Sequence, residues 1–139
     1  MSLSPVRFLD TNVLVRYFTT DDEAQAGKAL ALLMRVEAGE ERVETSPIVL
    51  FETVYALQRL YHTPKARIRD LLLPLLDLRG LHLPGKAICA AALDLYVENN
   101  ISFADAYNAR YLRSRGIHEI YSWDKDFDAI EGISRVEPR

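Results

Sequence analysis

Apolar and polar positions along the chain fall into blocks that switch between strand-like and helix-like spacing. Val6 to Leu9 is a short, mostly apolar run of the kind a central parallel strand presents. Val13 to Phe18 then predicts a short helix. Thr20, Asp21 and Asp22 supply capping chemistry for a longer helix over Glu23 to Glu37. Its apolar stripe runs through Ala26, Leu30, Leu33 and Met34, and Gly39 ends it. Arg42 to Thr45 predicts a second strand. Ser46-Pro47, a capping residue followed by proline at the first helical position, opens a helix to about Leu60. Thr63-Pro64 repeats that signal and opens Lys65 to Leu78, which Pro74 is expected to kink or divide. Leu81 to Leu83 predicts a third strand, followed by Pro84-Gly85 and a helix over Lys86 to Glu98. Ser102 caps a helix from Phe103 to Arg115, stopped by Gly116. Glu119 to Ser122 predicts a strand, Lys125 to Ile130 a helical turn, and Ser134 to Val136 a last, edge strand.

Strands alternating with helices imply an α/β fold, a central parallel sheet with helices on both faces in three layers. There are no repeats, low-complexity tracts or linkers, so residues 1–139 are expected to form one domain. A hydrophobic fraction of 49% is enough for a core. No segment is long and apolar enough to span a bilayer, and Met1 to Leu9 lacks the extended apolar region of a signal peptide. Cys89 is the only cysteine, which excludes a disulfide within the chain. Its Ala and Ile neighbours suggest a small buried filler rather than a nucleophile. A cytoplasmic setting fits. The net charge of −3 argues against a general DNA-coating protein, but not against a nuclease, because bound cations invert the charge of an acidic site.

Four acids stand out by position. Asp10 follows the first strand, and Leu9 and Val13 on either side predict that it is deep. Glu52 lies in the second turn of the helix after the second strand, bordered at helical spacing by Ile48, Tyr55 and Ala56. Asp105 lies in the first turn of the helix opened by Ser102, and Asp124 follows the Glu119 to Ser122 strand. Each sits at a strand's carboxyl end or near a helix's amino end, and in open parallel sheets those ends share the ligand-binding edge. Structural readings compete. Ser102-x-x-Asp105 is a capping box, Glu52 fits a solvated helix face, and Asp10, Asp124, Asp126 and Asp128 fit turns and caps. If the acids converge, they repel one another and at least one carboxyl pKa rises, unless a hard divalent ion with oxygen ligands, Mg²⁺ or Mn²⁺, joins them. His62, His82 and His118 are scattered, without the spacing of a zinc site. No Gly-rich phosphate loop and no nucleophile elbow occurs.

Taken in order, FLDTNVLVRYF, SPIVLFETVYAL, FADAYNARYLRSRGI and IYSWDKDFDAI resemble the PIN-domain proteins, and within them the VapC-type toxin ribonucleases. These pieces span nearly the whole chain. The resemblance implies a PIN-like fold in which Asp10, Glu52, Asp105 and Asp124 form an acidic quartet. Asp10, Asp105 and Asp124 would hold Mg²⁺ or Mn²⁺, and Glu52 would hold a water or take its proton. Asn12 and Ser122 match supporting positions that orient Asp10 and Asp124. Asp126 and Asp128 match less firmly, as helpers for a second ion or a water. Trp123 falls at a variable position and receives no role. No acid of the set is missing, which argues against an inactive copy. The implied activity is metal-dependent cleavage of RNA, with a homodimer and a cognate antitoxin as partners.

Two other readings stay open: a non-catalytic binding module of the same fold, and a phosphatase or phosphotransferase with Asp10 as nucleophile. The latter usually needs a second acid where Asn12 stands. RNA also needs positive charge. Arg16, close after Asp10, and Lys125, beside Asp124, are the best-placed cations, whereas Arg110, Arg113, Arg115, Lys65, Arg67 and Arg69 read mainly as solvated helix faces. Apolar surface on Glu23 to Glu37 and Ile48 to Leu60 serves either partner contacts or the core.

Overall fold

The computed structural model describes residues 5–139, and residues 1–4 lie outside the described residues. The described residues form two compact units, one ending at Gly85 and the other spanning Lys86–Arg139. Both are built from helices and parallel strands, so the α/β class expected from the alternating pattern holds.

In the first unit the strands β1 (Arg7–Phe8), β2 (Val43–Glu44) and β3 (Leu81–His82) pair in parallel, with β2 in the middle. Arg7 is level with Val43 and Val43 with Leu81. β1 is thus an edge of this ladder rather than its centre, and Arg7 and Phe8 are exposed. Four helices connect and cover the strands: α1 (Thr11–Phe18), α2 (Glu23–Glu37), α3 (Pro47–Arg59) and α4 (Lys65–Leu76). Parallel neighbours require such crossovers. The buried residues Leu14, Leu33, Val36, Val54, Leu57, Ile68 and Leu72 form the core of this unit.

Side-chain caps open two of this unit's four helices. Asp22 accepts the Gln25 N–H at 2.9 Å to open α2, and the Ser46 hydroxyl accepts the Val49 N–H at 3.3 Å to open α3. Replacing Ser46 with alanine is expected to lower stability by about 1 kcal/mol, readable as a shift of the urea midpoint at unchanged slope. The Thr63-Pro64 signal works differently: Pro64 itself is the N-cap of α4, with no side-chain cap bond. Pro74 neither divides nor interrupts α4. It sits in the last turn, where its missing N–H leaves only the Asp70 carbonyl, one turn earlier, without its helical partner. The stripe expected on α2 is only partly inward. Leu33 is buried together with Ala29 and Val36, while Leu30 and Met34 face solvent.

The second unit contains α5 (Lys86–Glu98), α6 (Phe103–Ser114), β4 (Glu119–Tyr121), a 3₁₀ turn over Lys125–Ala129, and β5 (Ser134–Val136), which pairs in parallel with β4. Cys89, Ala92, Leu93 and Tyr96 on α5 and Phe103, Ala106 and Ala109 on α6 fill its interior. The small residues let the helices approach, and Tyr96 meets Phe103 edge-on at 6.0 Å between centroids. Burial pushes the Cys89 thiol up to about 11, which suits the filler role expected of it.

Candidate active site

The second unit brings acids from two elements together. α6 begins where the Ser102 hydroxyl accepts the Asp105 N–H at 3.1 Å, so Ser102 supplies the cap and Asp105 sits in the first turn. β4 ends at Tyr121. Beyond it the Ser122 hydroxyl accepts the Asp124 N–H at 2.9 Å, and Asp124 Oδ1 accepts the Asp126 N–H at 2.9 Å. These short-range bonds fold the loop tightly enough to present carboxylates two residues apart on one side. One oxygen each from Asp105, Asp124 and Asp126 lies within 4.8 Å of the others. It is the one such grouping of potential metal ligands among the described residues.

The electrostatics of this cluster are unfavourable without a cation. Burial lifts the Asp105 carboxyl above its ordinary pKa, the facing Asp124 and Asp126 charges push the same way, and a hydrogen bond with Ser102 opposes them in part. Asp105 is half-buried, Asp124 and Asp126 exposed. Three oxygen donors with an open side suit a hard divalent ion that keeps some of its waters. The capping-box and ligand readings of Asp105 therefore coexist, because the Ser102 side chain does the capping.

Asp128, in the same 3₁₀ turn as Asp126, is engaged elsewhere. Arg135 Nε donates to Asp128 Oδ1 at 2.9 Å and Nη2 to Oδ2 at 3.3 Å, a two-pronged pair. Nη1 of the same arginine reaches the Ser122 carbonyl at 3.2 Å and Glu137 at 3.1 Å. Arg135 thus ties β5 to the loop that carries Asp124. Trp123, between Ser122 and Asp124, is 71% exposed.

Asp10 and Glu52 belong to the first unit. Asp10 occupies the N-cap position of α1 yet makes no cap hydrogen bond, which leaves its carboxylate uncommitted. It is exposed, not deep: Leu9 takes the buried position, and the chain turns outward at Asp10 to begin the helix. Leu9 is gripped on both sides. Its N–H donates to the Glu44 carbonyl at 2.8 Å, and its carbonyl accepts the buried Thr45 hydroxyl at 2.9 Å. Asn12 is exposed in the first turn of α1. Glu52 is exposed in the second turn of α3, and its apolar neighbours Ile48 and Tyr55 are exposed too. Both acids follow the carboxyl ends of ladder strands, Asp10 after β1 and Glu52 in the helix after β2.

The PIN domain family profile matches residues 7–133. This chain belongs to the PIN domain family. The match runs through both units and includes each of the acids described above. No curated protein matches the chain significantly. Among solved structures, the chain is similar to VapC20 of Mycobacterium tuberculosis, a sarcin–ricin loop cleaving toxin. Identity is 26% over 96% of this chain and 100% of that one, with a TM-score of 0.39.

Two side chains that hold this PIN domain's acids in place escape a reading of the sequence. Thr45 looks like an ordinary strand residue, and its bond to Leu9 spans 36 positions. Arg135 lies in an unremarkable Ser-Arg-Val strand, and its partners are found only once β5 pairs with β4. The candidate cations differ in setting. Lys125 is exposed beside Asp124, and Arg16 is half-buried on α1, its Nε donating to Gln25 at 2.8 Å.

Proposed function

We propose that this PIN domain is a divalent-metal-dependent endoribonuclease, the toxin of a toxin–antitoxin pair. The observation that carries the proposal is the Asp105–Asp124–Asp126 cluster, which places acids from α6 and from the loop after β4 in one spot within the family match. A match continuous over residues 7–133 also supports reading 1–139 as one domain.

In this reading Asp10, Asp105 and Asp124 hold Mg²⁺ or Mn²⁺, and Asp126 supports Asp124 or holds a water. Asp128 serves the fold through Arg135. Once bound, the ion supplies a Lewis acid for the phosphoryl oxygens and lowers the pKa of water. Glu52 orients the attacking water or takes its proton. Asn12 and Ser122 orient Asp10 and Asp124, and Lys125 and Arg16 bind phosphates beside the one being cut. The substrate class follows from the VapC-like motifs of the sequence. The exposed apolar residues Leu30 and Met34 on α2 and Ile48 and Tyr55 on α3 suit a second copy of the chain and an antitoxin.

The test is cleavage of structured RNAs by the purified protein with Mg²⁺, with Mn²⁺ and with chelator. Cleavage that persists under chelation overturns the metal-dependent reading. Metal binding is also readable without activity. Mn²⁺ at 100 times its Kd is expected to add about 2.7 kcal/mol of stability. The resulting rise in Tm should disappear in Asp124→Asn, and an equal rise in that variant places the ion elsewhere.

A further inference from the structure

α1 and α2 enclose a groove of about 510 Å³. Asn12 and Arg16 of α1 face Gln25 and Lys28 of α2 across it, and Val13 and Ala29 form apolar wall. The spacings, four residues on α1 and three on α2, are those that stack side chains along one helix face. No acidic residue lines the groove, and neither Arg16 nor Lys28 has a carboxylate partner among the described residues. A chain with a net charge of −3 therefore gathers two unneutralised cations in one concavity.

Gln25 explains how this is kept. Its backbone is fixed by the Asp22 cap, and its side-chain oxygen accepts Arg16 Nε at 2.8 Å. A neutral amide orients the guanidinium without cancelling its charge, and a glutamate there would do both. The remaining guanidinium nitrogens stay available for a two-pronged contact with an anion. The groove starts two residues beyond Asp10, and Arg16 lies about 9 Å from Asp10 along the helix direction at 1.5 Å per residue.

The geometry points to the α1–α2 groove as a subsite for the RNA backbone, in which Arg16 and Lys28 take phosphates flanking the scissile one and Gln25 positions Arg16. This rests on the nuclease reading and extends it to Lys28 and Gln25. Lys28 contacts substrate; Gln25 is a positioning residue. Uniform positive charge with an apolar wall suits a sugar–phosphate strand, whose binding is dominated by phosphate contacts.

The experiment measures binding of a labelled single-stranded RNA oligonucleotide by fluorescence anisotropy over a range of salt, in chelator so that nothing is cut. Gln25→Glu and Lys28→Gln are compared with the unaltered protein. Both positions are exposed on α2, and an acid in the first helical turn favours the helix, so both variants keep the fold. Each is expected to weaken binding about tenfold. Each should also make the slope of log K against log salt shallower by about 0.7, the value for one phosphate contact on a single strand. Unchanged affinity and slope in variants of a protein that cuts RNA overturn the subsite and leave the nuclease reading intact. An unaltered protein that neither binds nor cuts RNA overturns both. If polyglutamate binding, and not RNA binding, depends on Lys28 and Gln25, the groove is a protein-docking site and the subsite is wrong.

Discussion

The Asp105→Asn protein is expected to lose metal-dependent RNA cleavage by about 10²–10⁴-fold, while melting no lower than the unaltered protein when metal is absent. Both effects come from one carboxylate. Asp105 is half-buried at the start of α6, and its pKa is raised by burial and by the charges of Asp124 and Asp126. The unliganded fold therefore tolerates the charge rather than gaining from it. An amide of the same shape removes the repulsion, and the Ser102 cap is preserved because it uses the Asp105 backbone N–H. What disappears is a negative ligand. Functional sites commonly trade stability for activity in this way. The measurement pairs a cleavage time course with thermal melts in chelator and in Mn²⁺. A variant that melts well below the parent without metal, or that cleaves at the parent's rate, contradicts the assignment of Asp105.

The largest expected effect on stability comes from Gly80→Ala. Gly80 joins α4 to β3 through a turn in which its N–H donates to the Val36 carbonyl at 2.9 Å and its carbonyl accepts the Val43 N–H at 2.8 Å. A Cβ at this position would run into the Glu41 carbonyl oxygen and lie 2.9 Å from that of Val36. Both obstacles are backbone, so no side chain can swing aside, and relief means moving β2 or the end of α2. A loss of about 3 kcal/mol follows, with a Tm lower by roughly 10 °C. Gly27→Ala is the matched comparison. Gly27 lies within α2 with open space where its Cβ would be, and alanine there should stabilise by about 0.5–1 kcal/mol. The same chemical change is thus expected to act with opposite signs at two glycines. A common effect in both would show that close approach at Gly80 is not what requires the missing side chain.

The elements were legible where capping and periodicity agreed. Asp22 before an amphipathic run marks α2, and Ser46-Pro47 and Ser102 mark α3 and α6, because a cap is local chemistry between residues three apart. Thr63-Pro64 marked the start of α4 at Lys65, although Pro64 rather than Thr63 occupies the cap position and no side chain caps the helix. The stripe on α2 misled at Leu30 and Met34 because periodicity shows which residues are apolar, not which side the core lies on. For the site, the acids were legible through their position after strands and at helix starts. Asp126 is distinguished from Asp128 by its place beside Asp105 and Asp124 and by Arg135, which holds Asp128 through a pairing that depends on the β4–β5 register. The outward turn at Asp10 was hidden for a similar reason. It follows from Thr45 fixing the Leu9 carbonyl, a bond between elements distant in sequence.

Trp123 is the chain's single tryptophan, so indole emission from this protein has one source, wedged between Ser122 and Asp124. Because the ring stands in water, its emission begins at long wavelength, and a cation or a nucleobase arriving next to it changes intensity or colour. If the Asp105–Asp124–Asp126 cluster takes up a cation, a change in this emission is its expected sign, with no dye attached and no catalytic turnover required.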